Sequence, residues 1–199
     1  LDRIANTARN LGLKAHISVR VNPNIDAHVD HHVATGLGDS KFGVKLTDVI
    51  ALYQKAAELK EIEIEGISCH IGSLVESTVP YMSEIEVLSV FVHELLDRGI
   101  ALKHFDIGGG AGVAYKADEK TLEPSELIPA VVAQIRSLVK IPDIEILIEP
   151  GRSIIAQAGV LLTRVEYLKS GLFERNFCVV DASMTELVRP AMYGSHHEI

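Results

Sequence analysis

The 199 residues are 47% apolar, 23% charged and 5% aromatic, a balance that excludes disordered and fibrous chains and supplies material for a sizeable core. A net charge of -8 with scattered Lys and Arg leaves no basic stripe for a phosphodiester backbone, so nucleic acid is not an expected partner. No apolar run approaches the roughly 20 residues of a membrane span and no signal-peptide pattern opens the chain, so no membrane association and a cytoplasmic location are expected.

In chain order, Ile4, Ala5, Ala8 and Leu11 form one stripe of a helix over 2–11, stopped by Gly12 and followed by an alternating strand over 15–21. An amphipathic helix over 47–59, opened by Thr47 and Asp48, leads to a strand over 62–71. A helix over 79–98, closed at Gly99, leads to a strand over 104–107. A helix over 125–139, ended by Pro142, leads to a strand over 144–148. Four helix-then-strand repeats predict parallel crossovers, hence an α/β chain forming half of a TIM-like (β/α)8 barrel. Beyond Arg152 the pattern changes to strand-like runs over 159–168 and 177–180. The expected organisation is a partial barrel over 1–155 and the start of an antiparallel β domain over 156–199. A complete barrel needs about 250 residues, and the sequence opens on Leu1, so a fragment is expected. Cys69 and Cys178 lie in strand-like runs and are expected as buried, reduced thiols.

Three of these strands end in polar chemistry: Cys69-His70-Ile71-Gly72-Ser73, Asp106-Ile107-Gly108-Gly109-Gly110 and Ile148-Glu149-Pro150-Gly151-Arg152. Parallel barrels build their sites at C-terminal strand ends, so these segments are expected to converge on one ligand. Gly108, Gly109 and Gly110 let successive amides curl around a phosphate, although a tight turn also accounts for three glycines. Glu149 and Arg152 either pair with each other or serve a heteroaromatic nitrogen and an anionic group, respectively. His70 can lie flat against a planar ligand while the Ser73 hydroxyl reaches a phosphate. Asp26, His28, Asp30, His31 and His32 superficially resemble a metal cluster, but they crowd one short loop, and no metal site is expected there or at His196, His197 and Glu198. Lys41 reads as a structural cation, and the acidic positions Glu84 and Glu86 as a solvated helix face.

With Arg20-Val21-Asn22-Pro23, Ser40-Lys41-Phe42-Gly43, the three strand-end segments, Arg164-Val165-Glu166-Tyr167 and Arg189-Pro190-Ala191-Met192-Tyr193 in order, the chain resembles the fold-type III pyridoxal phosphate decarboxylases. These share an alanine racemase-like barrel, of which the resemblance makes this chain the second half. The Arg-Pro-x-x-Tyr element points within them to the branch that acts on meso-2,6-diaminopimelate. The resemblance implies pyridoxal 5'-phosphate as cofactor, decarboxylation of that amino acid to L-lysine and CO2, and a homodimer with a shared active site. It implies catalytic roles for His70 and Glu149, and a cofactor site of His70, Ser73, Gly109, Gly110, Glu149, Gly151 and Arg152. It further implies recognition of the amino-acid substrate by Arg152, Arg189 and Tyr193. The family's cofactor-bearing lysine and C-terminal cysteine segment are expected outside this sequence, so the isolated chain is expected to be inactive. Leu74 and Ser183 stand where relatives usually carry Gln and Gly. Decarboxylases of the same fold acting on ornithine, arginine or a carboxylated polyamine are the alternative, as is a non-catalytic decarboxylase-like regulator.

Overall fold

A computed structural model describes residues 1–26, 40–116, 118–172 and 175–199. The chain divides into two compact units, 1–113 with 121–153 and 114–120 with 154–199. His28, Asp30, His31, His32 and Asp39 lie outside the described residues.

The first unit opens on helix α1 (Asp2–Leu11), which buries Ala5 and Ala8 and ends where Gly12 adopts φ 66, returning its N–H to the Ala8 and Arg9 carbonyls. Strands β1 (Ala15–Asn22) and β2 (Val44–Lys45) follow, then a short 3-10 turn (Leu46–Asp48) running into α2 (Val49–Ala57). Next come β3 (Ile62–Cys69), α3 (Val79–Asp97), β4 (His104–Asp106), α4 (Pro124–Leu138) and β5 (Glu145–Leu147). All pairings in this sheet are parallel, in the order β2-β1-β3-β4-β5. The short α5 (Arg152–Ile155) starts where this unit ends. Pro80 and Pro124 sit in the first turns of α3 and α4, where a missing amide N–H costs nothing. The α4 helix stops at Leu138 because Val139 turns extended at ψ 100, so Pro142, whose steric reach covers only the residue before it, is not the terminator. The two-residue β2 was not expected; it is too short to show any alternation.

Val19, Val21, Ile67, Cys69, Phe105 and Ile107 from the sheet meet Tyr81, Ile85, Leu88 and Val92 of α3 and Leu127, Val131 and Ile135 of α4 in one core. Between β1 and β3 the register slips: Ile17 pairs with Ile64 but Ser18 with Gly66, leaving Glu65 as an extra residue. The apolar phase of β3 therefore changes from Ile62 and Ile64 to Ile67 and Cys69. Gly66 is required there, since a Cβ would collide with His104, and the Tyr53 hydroxyl donates to its carbonyl at 2.7 Å.

Glu84 overturns the expectation of a solvated face: its residue is fully buried on α3, and neither carboxyl oxygen has a hydrogen-bond partner among the described residues. Its position explains this, because Glu84 stands three residues after Tyr81 and four before Leu88, on the buried stripe of α3. Burial pushes the Glu84 carboxyl well above its ordinary range; the neighbouring Cys69 thiol pulls it down next most strongly, ahead of the Asp106 charge that raises it and the Arg20 charge that lowers it. A raised folded-state value means that its contribution is fully present below the unfolded carboxyl value and is lost as pH rises through the folded one. Glu84→Leu is therefore expected to stabilise the full-length protein by about 1–3 kcal/mol at pH 5 and by more at pH 8. Urea midpoints that shift equally at both pH values would contradict this.

At the N-terminal ends of the strands His16 bonds Glu65 at 2.5 Å, and Lys103 bridges Glu63 and Glu65 at 2.8 and 2.9 Å. Lys103 thus already neutralises the one His and Glu grouping found among the described residues. No helix among the described residues is long and apolar enough to cross a membrane.

In the second unit β6 (Val165–Ser170) pairs antiparallel with β7 (Asn176–Val180), and α6 (Arg189–Tyr193) follows. The expected strand from 159 begins only at Val165, since β7 offers partners no further than Val180 opposite Val165. Cys69 is buried as expected, but Cys178 is exposed: every residue of β6 and all but the last of β7 are exposed within this two-stranded sheet.

Candidate active site at the strand ends

Register brings three chain segments together. Ser68, Asp106 and Leu147 are level across β3, β4 and β5, so the residues that follow them leave the sheet side by side. The Glu149 N–H donates to the Gly108 carbonyl at 2.7 Å, and the Gly109 N–H donates to His70 Nδ1 at 3.1 Å. Val75 N–H donates to the Gly110 carbonyl at 2.9 Å, and Tyr81 Oη donates to the Gly109 carbonyl at 3.1 Å.

The glycine triplet is demanded by this convergence. A Cβ on Gly108 would overlap the Cys69 carbonyl, one on Gly109 the Glu149 carbonyl, and one on Gly110 the Gly72 carbonyl. Gly108 and Gly110 also take φ values of 67 and 103, which side chains disfavour. By contrast, Gly151 has nothing within 4 Å of a Cβ.

His70 is half-buried. Burial chiefly, and the Arg20 charge next, hold its imidazole below the ordinary range, with Asp106 pulling the other way. Because Nδ1 accepts the Gly109 N–H, the hydrogen-bond network assigns the proton of the neutral ring to Nε2. Arg20 reaches the His70 carbonyl at 3.4 Å and lies 5.1 Å from the Phe42 ring centroid, and Lys41 lies 5.1 Å from the same centroid.

Glu149 is exposed and Arg152 half-buried, and among the described residues no ion pair joins them. Arg152 Nη1 is buried with no hydrogen-bond partner among the described residues. The Ser73 hydroxyl and Gly110 N–H likewise make no hydrogen bond among these residues. A buried guanidinium nitrogen, a hydroxyl and a backbone amide without partners, on the segments that leave three adjacent strands, and an imidazole bonded to the same glycine run, fit a ligand that carries both a phosphate and a flat ring.

In the second unit, Arg189 and Tyr193 lie four apart on α6, so the Arg-Pro-x-x-Tyr element is helical and ends at Gly194. Arg189 donates to Tyr115 Oη at 2.9 Å and lies 5.0 Å from that ring's centroid. Its Nη1 is also 3.4 Å from His197 Nε2, and His197 packs edge-on to Tyr115 with centroids 5.7 Å apart. His196 pairs with Glu198 at 3.3 Å.

Sequence reasoning missed Tyr81 and Tyr115, and it named Asp106 and His197 without giving them the contacts they make. Asp106 carried a legible signal: Asp two residues before a glycine makes an Asx turn, and Asp106 Oδ1 accepts the Gly108 N–H at 2.8 Å. Tyr81 and Tyr115 carried none, because their partners lie 28 and 74 residues away.

Residues 1–156 match the family described as pyridoxal-dependent decarboxylase, pyridoxal binding domain. Over all 199 residues the chain is 42% identical to diaminopimelate decarboxylase of Pseudomonas aeruginosa and 40% identical to that of Haemophilus influenzae, covering 46% and 47% of them. It thus spans about half the length of the curated relatives it matches. The crystal structure of Helicobacter pylori diaminopimelate decarboxylase complexed with L-lysine superposes with a TM-score of 0.87 at 34% identity, over 98% of this chain and 47% of that one. Lysine decarboxylase from Selenomonas ruminantium superposes with a TM-score of 0.77 at 25% identity, over 98% and 48%.

Proposed function

The chain belongs to the pyridoxal-dependent decarboxylase family, and from that premise we propose that the whole protein decarboxylates meso-2,6-diaminopimelate to L-lysine and CO2. The observation that carries this reading is the convergence of His70, Gly108 to Gly110 and Glu149 at the ends of three adjacent parallel strands. The relatives named above support the substrate, as does L-lysine in the Helicobacter pylori complex. In this reading the first unit is half of a (β/α)8 barrel, and the second unit begins an antiparallel β domain.

Pyridoxal 5'-phosphate supplies the electron sink for the carbanion that CO2 loss leaves behind. The residues of this chain would hold it as follows. His70, kept neutral by burial and by the Gly109 N–H, offers a flat, uncharged face to the ring. Ser73 and the Gly110 amide bind the phosphate, and Arg152, whose buried Nη1 has no partner among the described residues, serves the phosphate or a substrate carboxylate. The Gly109 N–H, committed to His70, fixes the imidazole instead. Glu149 holds a proton on the ring nitrogen, next to the Pro150-Gly151 turn that sets its direction. Arg189 and Tyr193 bind the far carboxylate of the substrate, for which a guanidinium fork is suited. A homodimer would complete the site.

The test is CO2 release by the full-length product of the reading frame with pyridoxal 5'-phosphate, on meso-diaminopimelate, ornithine and arginine. Selective release from diaminopimelate is expected. Release from ornithine or arginine instead would assign another decarboxylase of this fold, and silence from a folded, cofactor-loaded protein would assign a regulator. Arg189→Ala is expected to raise KM for diaminopimelate about a hundredfold, as loss of a charged hydrogen bond of about 1.5–3 kcal/mol implies, with cofactor affinity nearly unchanged. The opposite pattern would remove Arg189 from substrate recognition.

A further inference from the structure

Tyr81 lies 28 residues before Gly109 and is 1% exposed, yet its hydroxyl donates to the Gly109 carbonyl at 3.1 Å. Burial, with the nearby Glu84 charge, raises the phenol far above its ordinary range, so the hydroxyl remains a donor at any working pH.

The 109–110 peptide joins two glycines, so its flanking dihedrals are the least restricted a chain can have. The peptides on either side are pinned by backbone: Gly108 O accepts from Glu149, and Gly110 O from Val75. On the 109–110 peptide itself, the Tyr81 hydroxyl is the group that engages the carbonyl. That peptide is trans and planar, so the Gly110 N–H points opposite to the Gly109 carbonyl. A hydroxyl that draws the carbonyl toward the core turns the amide away from the core. That amide makes no hydrogen bond among the described residues.

We infer that Tyr81 is a positioning residue: it locks the Gly109-Gly110 peptide in the orientation that presents the Gly110 amide to the cofactor's phosphate. The inference rests on the phosphate reading given above and deepens it. Phenylalanine at this position would keep the packing against Ile107 and Leu127 and would lose the lock.

The test compares full-length apoenzyme and its Tyr81→Phe variant in titrations with pyridoxal 5'-phosphate and with pyridoxal, which lacks the phosphate. The expected result is a wild type that prefers the phosphorylated ligand and a variant that loses about tenfold of affinity for it, one hydrogen bond's worth. Affinity for pyridoxal and the Tm should stay as they are. A variant that keeps the whole preference overturns the inference and leaves the phosphate reading standing. Equal weakening toward both ligands reduces Tyr81 to packing and also overturns it. A wild type that does not distinguish the two ligands removes the phosphate reading, and the inference with it.

Discussion

The full-length enzyme carrying Glu149→Gln is expected to turn over about a thousandfold more slowly than its parent, with KM and cofactor content little changed. Glu149 follows β5, its backbone N–H is tied to Gly108, and no cation neutralises its side chain among the described residues. A full negative charge is thus available to a heteroaromatic nitrogen. At about 4 Å and an effective dielectric near 20, the pair is worth roughly 4 kcal/mol. Each 1.36 kcal/mol is one pKa unit or one decade in rate, so the ring nitrogen would rise by about three units and the barrier would fall to match. Glutamine keeps the shape and removes the charge. Steady-state kcat, together with the pH dependence of the cofactor's absorbance, measures both consequences; an unchanged kcat would remove the assignment.

Gly110→Ala is expected to abolish cofactor retention and to cost about 3 kcal/mol of stability through overpacking and a left-handed side-chain residue. The new Cβ would overlap the Gly72 carbonyl, which is backbone and cannot swing away, and φ 103 suits glycine. Moving Gly110 also moves the peptide that Tyr81 holds and the carbonyl that Val75 binds. Gly159→Ala is the control, since its Cβ meets open space and the position has no part in the site. Thermal melts and cofactor absorbance after gel filtration separate the two; equal behaviour of both variants would mean that crowding at Gly110 is not the cause.

Much of the fold was legible because its elements are regular and long enough to show a period. The stripe of Ala5 and Ala8 with Gly12 marks α1 to the residue, and β3 and α3 follow the apolar spacing within a residue or two. A parallel sheet followed by an antiparallel pair was readable from the change of pattern after Arg152. Periodicity says nothing about Val44–Lys45, and at Glu84 the residue type outweighed it, since this carboxyl sits on the buried stripe of α3. At the site, the glycine triplet and Glu149 stood out by type and position. The contacts that shape them did not, because Tyr81 to Gly109 and Arg189 to Tyr115 are made only once distant segments have packed.

The extra residue Glu65 in β3 has a meaning for heredity as well as geometry. Side chains on a strand alternate sides, so an extra residue would exchange the two faces for everything downstream unless the ladder bulges to absorb it, as it does here. With Glu65 present, Ile67 and Cys69 are delivered to the helices and His70 to the Gly109 amide. Loss of that single codon would leave Ile67 opposite Val19 and Cys69 opposite Val21, on the face they share with Ile64 opposite Ile17, and would take away only the bulge. Along this strand the ladder tolerates one residue in excess, and what selection must hold fixed is which residues pair.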